Sequence, residues 1–434
     1  MEEVVRNDRR YVLAAGFAAT VTMWAVAYVG RLPLVMAPSG SLGLLMLAAV
    51  AAWGWYVGRW SGDGWLGGIL VGGTAAILNL LILGSLLAAA DGGLRPSALW
   101  WVPGSIVGIS VFAGVAAAVG SRSASTERRG PDWTAMFSKV AVAATFLLVV
   151  AGGLVTSQEA GLAVVDWPNT FGSNMFLYPL SRMTGGIYYE HAHRLFGALV
   201  GITTLALAVH LWRVDTRAWV RRLALVAVIV VVIQGILGGL RVTGQFTLST
   251  TPEDMAPSIG LAIVHGVLGQ LFLALIVCLA VVTSRWWREA PPAEVRPIVV
   301  TDRSIQVGLV VVLAIQLVFG AVQRHVAQGL LIHITLATVV TVIAIAAGGR
   351  AWGLYHGVRP VQRLGQLLMG LVCVQVALGI AALAVTQGRA VVGSPTTIEV
   401  TIATAHQATG AALLAVSVML AVWMSRLFRQ QFTA

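Results

Sequence analysis

Twelve separate runs of apolar residues, each long enough to cross a lipid bilayer as a helix, leave this chain few ways to fold. They lie near 11–30, 42–60, 66–90, 99–120, 135–156, 190–211, 221–241, 259–283, 304–324, 329–349, 362–386 and 399–425. A spanning helix needs about 20 mostly apolar residues at roughly 1.5 Å per residue. Inside lipid, only a helix satisfies its backbone within one segment. With 58% hydrophobic residues, 10% charged ones and a mean hydropathy of +0.86, little chain remains for a soluble domain. The expected fold class is an all-α membrane protein of about twelve transmembrane helices.

Charge sets the expected orientation. When the connectors are assigned alternately to two sides, all but seven of the 28 Lys and Arg fall on the side of the N-terminus; the seven are Arg31, Arg95, Arg182, Arg194, Arg241, Arg324 and Arg389. Basic connectors mark the cytoplasmic face, so both termini are expected there. The net charge of +11 is then a matter of topology; the partner it implies is the bilayer, not nucleic acid. The polar start, Met1 to Arg10, leads into a full-length span rather than a removable signal peptide. Cys278 and Cys373 lie in separate apolar runs, where core packing is expected instead of a disulfide or thiolate metal site.

The polar, basic connector from Ser121 to Trp133 divides four N-terminal spans, residues 1–125, from an eight-span remainder. That remainder carries a repeat. His193 and His265 are 72 residues apart, His333 and His406 are 73 apart, and each has a small residue four positions on: Gly197, Gly269, Ala337 and Gly410. Gln234-Gly-Ile-Leu-Gly238 is echoed by Gln375-Val-Ala-Leu-Gly379. The spacing predicts two tandem four-helix units, 126–284 and 285–434, related by a pseudo-twofold axis along the membrane normal, each supplying a histidine from its second and fourth helix. All four histidines then sit near the outer ends of their helices.

Two imidazoles facing each other in a helical bundle suit axial ligation of a planar macrocycle. Zinc wants further Cys, His or carboxylate ligands, and the second unit has no carboxylate beside its histidines. A histidine within the membrane can also simply hydrogen-bond between helices. Four at repeat-matched positions favour a functional role, with haem iron the metal they would hold.

The halves differ at Tyr189-Glu190-His191-Ala192-His193-Arg194-Leu195-Phe196-Gly197. In helical geometry Glu190, His193 and Arg194 share a face, while His191 is turned away. No acidic residue occupies the matching place before His333. Glu190 is thus expected beside the chemistry, as a proton acceptor or orienting group; a plain Glu190–Arg194 pair at a helix start is the simpler alternative. Arg194, Arg241 and Arg324, at outer helix ends, could clamp haem propionates, although snorkelling to headgroups competes for the last two. His191, His210, His325 and His356 are expected to be interfacial. The long outer loop, 157–189, is expected to cover a site.

These residues resemble the haem A synthases. The resemblance covers roughly 135–425, through Gly153-Leu-Val-Thr156, Gly161-Leu-Ala-Val-Val-Asp-Trp-Pro168, the Glu190-x-x-His193-Arg194 motif and the later histidine helices. It implies a prokaryotic inner-membrane oxidoreductase that oxidises the methyl group of haem O to a formyl group, making haem A for cytochrome oxidase. It also implies that His193 and His265 ligate the substrate haem, with Glu190 catalytic, and that His333 and His406 hold a resident haem b. Implied partners are haem O synthase, oxidase assembly proteins and an electron-transfer partner. Two features depart from the family: the loop 157–189 has no cysteine pair, and the four N-terminal spans are additional. Competing functions with the same histidines are a dihaem b cytochrome exchanging electrons with quinol, and a haem carrier or oxidase assembly factor.

Overall fold

The computed structural model describes residues 9–82, 84–87, 94–123, 130–244, 256–291, 294–295, 299–386 and 394–429. The connector residues 124–129, and with them the expected boundary at 125, lie outside these. The helices are α1 (Arg10–Arg31), α2 (Ser39–Trp60), α3 (Gly64–Ile82), α4 (Ala98–Ser121), α5 (Trp133–Ser157), α6 (Gly185–Val214), α7 (Ala218–Thr243), α8 (Ile259–Val282), the short α9 (Arg285–Arg288), α10 (Val299–Val326), α11 (Leu330–Leu354), α12 (Arg359–Thr386) and α13 (Thr397–Leu427). Apart from α9, all are long and apolar enough to cross a membrane, twelve among the described residues. The third expected run reached residue 90, but α3 stops at Ile82 and Gly84 opens a 3-10 turn. Glycine costs a helix interior about 1 kcal/mol relative to alanine, which makes it a natural stopping point.

Packing divides the chain into two compact units, one of residues 1–147 with 168–217 and the other of 148–167 with 218–434. In the first, α4 packs on α2 and α3 through small residues. A Cβ on Gly54 would lie 2.6 Å from the Ala113 carbonyl oxygen, and one on Gly72 would lie 2.6 Å from that of Ile109. Gly54 and Gly58 of α2, like Gly68 and Gly72 of α3, are spaced four apart, the small-xxx-small pattern that lets membrane helices approach closely. Polar groups of α1 pair with this set: Trp24 Nε1 donates to Asn79 Oδ1 of α3 at 2.9 Å and the Tyr11 hydroxyl donates to Asp63 in the α2–α3 connector.

The same unit contains α6, and α1 lies against it. Trp24 meets Phe196 edge-on at 5.4 Å, Tyr28 stacks on Tyr188 at 5.6 Å, and the Tyr188 hydroxyl donates to the Tyr28 carbonyl at 2.7 Å. Such aromatic pairs each add about 0.5–1.5 kcal/mol beyond their burial.

In the second unit α10, α11, α12 and α13 close a ring, each against its chain neighbour and α13 against α10, while α8 packs on α10 and α13. One end of the ring is drawn tight. Gly348 of α11 and Gly365 of α12 meet backbone to backbone, where a Cβ on Gly365 would lie 2.7 Å from the Gly348 carbonyl oxygen. Near that end, Asp302 is buried and receives hydrogen bonds from Arg350 and Tyr355. His333 lies 15 residues before Gly348 on α11, about 22 Å away at 1.5 Å per residue, so the histidine end of the ring is the end without these clamps.

Candidate functional site

The motif around Glu190 runs from the second to the fourth turn of α6. Glu190 is only 4% exposed and pairs with Arg194, Nη2 to Oε1, at 2.9 Å. Arg194 also donates through Nη1 to the Asn169 carbonyl at 3.0 Å, which ties α6 to the outer loop. That loop is built, since β1 (Asn169–Thr170) pairs antiparallel with β2 (Ser173–Asn174). Phe171 and Gly172 between them both have positive φ, 49° and 74°, as a type I′ hairpin requires. The hairpin delivers Thr170 to His191, Oγ1 to Nδ1 at 3.2 Å, and His191 also packs on Tyr178 at 5.1 Å.

His191 therefore does not sit at a lipid interface: it is 1% exposed and holds the loop to α6. His210 differs from expectation in the same way, being buried with Nε2 3.0 Å from Thr134 Oγ1. Of the two cysteines expected in the core, Cys373 is exposed on α12.

Three of the four repeat histidines share one arrangement. Each meets a glycine and a glutamine from the helix before it. A Cβ added to Gly238, Gly320 or Gly379 would in every case lie 3.1 Å from Cε1 of the facing histidine: His265, His333 and His406 respectively. The glycine gives the ring its place. The glutamine one turn earlier on each helix reaches the same histidine. Gln234 Nε2 donates to the His265 carbonyl at 3.2 Å, Gln316 Nε2 lies 3.0 Å from both the His333 carbonyl and Nδ1, and Gln375 Nε2 lies 3.5 Å from His406 Nε2.

Gln316 and Gly320 form a third copy that went unnoticed in the sequence. The connector between α10 and α11 is short, so the offset from glutamine to histidine falls from 31 residues to 17 and hides the match. The i to i+4 spacing of Gln and Gly was the available signal. The small residues after the histidines acquire a second reason: a Cβ on Gly410 would lie 3.2 Å from Gln375 Nε2, and one on Gly269 would lie 3.5 Å from Gln234 Nε2.

His333 and His406 come together within the second unit. Their ring centres are 6.4 Å apart and their planes cross at 81°. Two imidazoles on opposite faces of one iron, each about 2.0 Å from it through a ring nitrogen, would have centres about 6 Å apart. His406 Nδ1 is buried without a hydrogen-bond partner, and the glycines at 320 and 379 leave both rings room. The residues fit a haem held by two histidines. Among the described residues, no three His, Cys, Asp or Glu side chains gather as a metal-ion cluster.

His193 and His265 fall in different compact units. His265 has its glycine and glutamine, whereas α5, the helix preceding His193, contains no glutamine. Arg241 donates through Nη2 to the Gly161 carbonyl at 3.0 Å, and Arg324 donates to the Thr156 carbonyl. Arg241 holds the backbone just after α5 and Arg324 holds the last turn of α5 itself; a guanidinium carries five N–H donors. Trp167 of the Asp166-Trp167-Pro168 segment lies flat where a Cβ on Gly239 would stand, and Asp166 is buried.

Residues 135–333 match the COX15-CtaA family, described as cytochrome oxidase assembly protein. The match runs from the start of α5 to His333 and so takes in Glu190, His193 and His265; His406 lies beyond it, where the Gln-Gly-His arrangement supplies the parallel. Over 143 residues, 33% of this chain, the protein is also 28% identical to a protein named protoheme IX farnesyltransferase from Haloarcula marismortui. The chain spans 28% of that relative's length.

Proposed function

We propose that the protein is a haem A synthase, oxidising the methyl group of haem O to a formyl group through hydroxylation. The observation that carries this is the facing pair His333 and His406, seated against Gly320 and Gly379 at a separation suited to haem, in a chain whose other half has the same histidine spacing plus a buried carboxylate. The family match supports oxidase assembly as the setting. Similarity to a protein named for farnesylating protohaem IX is in keeping with a farnesylated haem as substrate.

In this proposal residues 285–434 form a four-helix unit in which His333 and His406 would hold haem b, and residues 126–284 form its repeat, with His193 and His265 the histidines assigned to haem O. A haem b held by His333 and His406 would supply electron-transfer chemistry. Glu190, oriented by Arg194, accepts protons from the reacting carbon substituent in a site shielded from water. Arg194, Arg241 and Arg324 offer N–H groups to the propionates. The protein lies in a prokaryotic cytoplasmic membrane with both termini inside and the haem sites toward the outer face, where haem O synthase and oxidase assembly proteins are its neighbours.

The test is expression in cells that make haem O but not haem A, followed by analysis of extracted haems. Haem A or its hydroxymethyl precursor is expected. Bound haem b with neither product would leave a dihaem cytochrome as the function and overturn the enzyme.

A further inference from the structure

Nothing in an axial-ligand scheme requires a glutamine one turn before a glycine, yet the pair occurs three times, each time directed at a histidine. The three copies are Gln234 with Gly238, Gln316 with Gly320, and Gln375 with Gly379. Gln234 and Gln316 donate to the histidine's own backbone carbonyl, which in a helix already accepts from the residue four ahead and has one lone pair left. Gln316 and Gln375 also come within 3.0 and 3.5 Å of a ring nitrogen. In all three the carboxamide oxygen is buried without a partner. Glutamine has two donors and one acceptor on a planar group, so each has an acceptor unused beside an imidazole.

We propose that Gln234, Gln316 and Gln375 are positioning residues for haem ligation: Gln234 pins the facing histidine through its backbone carbonyl, Gln375 through its ring and Gln316 through both, fixing helix position or imidazole angle before iron is bound. This rests on the haem assignment above. Three features of the geometry require it to act as a set. The glycine at i+4 lets the ring approach the preceding helix, and at 316 and 375 the amide one turn away stops that ring from rotating in the space. The residue four after the histidine is glycine at 269 and 410, which leaves the amide its room. Ligating histidines usually have their second nitrogen held by an outer partner that fixes ring orientation, and loss of that partner weakens the site without emptying it. Here the partner comes from the neighbouring helix, so one residue sets both the spacing of two helices and the ring angle.

The test uses the full-length, haem-loaded protein and the variants Gln316→Met and Gln375→Met. Methionine has nearly the volume of glutamine and no amide, so packing is preserved while the hydrogen bonds are lost. Both variants are expected to retain haem b at wild-type stoichiometry while the low-spin electron paramagnetic resonance signal moves from its wild-type g value and broadens, because that signal follows the angle between the imidazole planes, 81° here. The midpoint potential is expected to shift in the same samples. An unaltered signal and potential in both variants would show that the glutamines only fill space and would overturn the proposal. His333→Ala separates the two levels: if it leaves the haem b spectrum intact, the haem assignment fails first, whatever the glutamine variants do.

Discussion

Gly320→Ala isolates the contact on which the haem geometry depends. The added Cβ would stand 3.1 Å from His333 Cε1, inside normal van der Waals contact, and no other change accompanies it. Extra methyl volume in a packed site costs about 1–3 kcal/mol, while Gly→Ala within a helix returns about 1 kcal/mol in propensity. The propensity gain is common to apo and haem-bound protein and cancels from the binding constant. The steric cost does not cancel. Without haem the imidazole, its angle held by Gln316, can still shift by the few tenths of an ångström that the methyl needs, whereas iron fixes its position and the full penalty appears. At 1.4 kcal/mol per tenfold, haem b binding should weaken about 5-fold to 150-fold, read by titrating haem-depleted protein and following the Soret band. Gly349→Ala on α11, where a Cβ meets nothing within 4 Å, should bind as wild type and melt no lower. Wild-type haem affinity in Gly320→Ala would refute the view that this glycine seats a ligating ring.

Two more perturbations probe the other unit. Glu190→Ala removes the buried partner of Arg194 and should leave haem b bound while haem A and its hydroxymethyl precursor vanish from extracts; undiminished conversion takes Glu190 out of the mechanism. Trp24→Ala deletes the indole that bonds Asn79 and packs on Phe196, and truncating a buried Trp costs about 3–5 kcal/mol. A clear fall in melting temperature in detergent is expected, and an unchanged melt would mean that α1 contributes little to holding α6.

The helices were legible because apolar length is a strong signal: eleven of the twelve runs correspond to their helices within a few residues at most ends, and only the third overran by more, through a tract with no charged residue before Asp91. His333 and His406 were legible because a repeat places them, and the fold brings their rings to 6.4 Å, edge to face. The glutamine at 316 was not, because a short connector altered its distance to the histidine while leaving its distance to Gly320 intact. His191 was misjudged for another reason. Helical periodicity shows that it points away from His193 but cannot say what lies there, and what lies there is Thr170, carried in by a hairpin made possible by Phe171 and Gly172 at positive φ.

The N-terminal spans also take on a definite place. Tyr188 and Phe196 are eight residues apart on α6, about 80° around its axis, and both face α1 through Tyr28 and Trp24. Glu190 is turned about 160° from Tyr188 at roughly 100° per residue. The additional helices thus cover the back of the helix whose front carries the carboxylate. A membrane helix with one side in lipid is free to rotate by the few degrees that would misdirect a short side chain such as glutamate. An aromatic ladder along that side, closed by the Tyr188 hydroxyl on the Tyr28 carbonyl, removes that freedom. The orientation of Glu190 is therefore fixed from three directions: by Arg194 on its own helix, by the outer hairpin through Asn169, and by α1 behind.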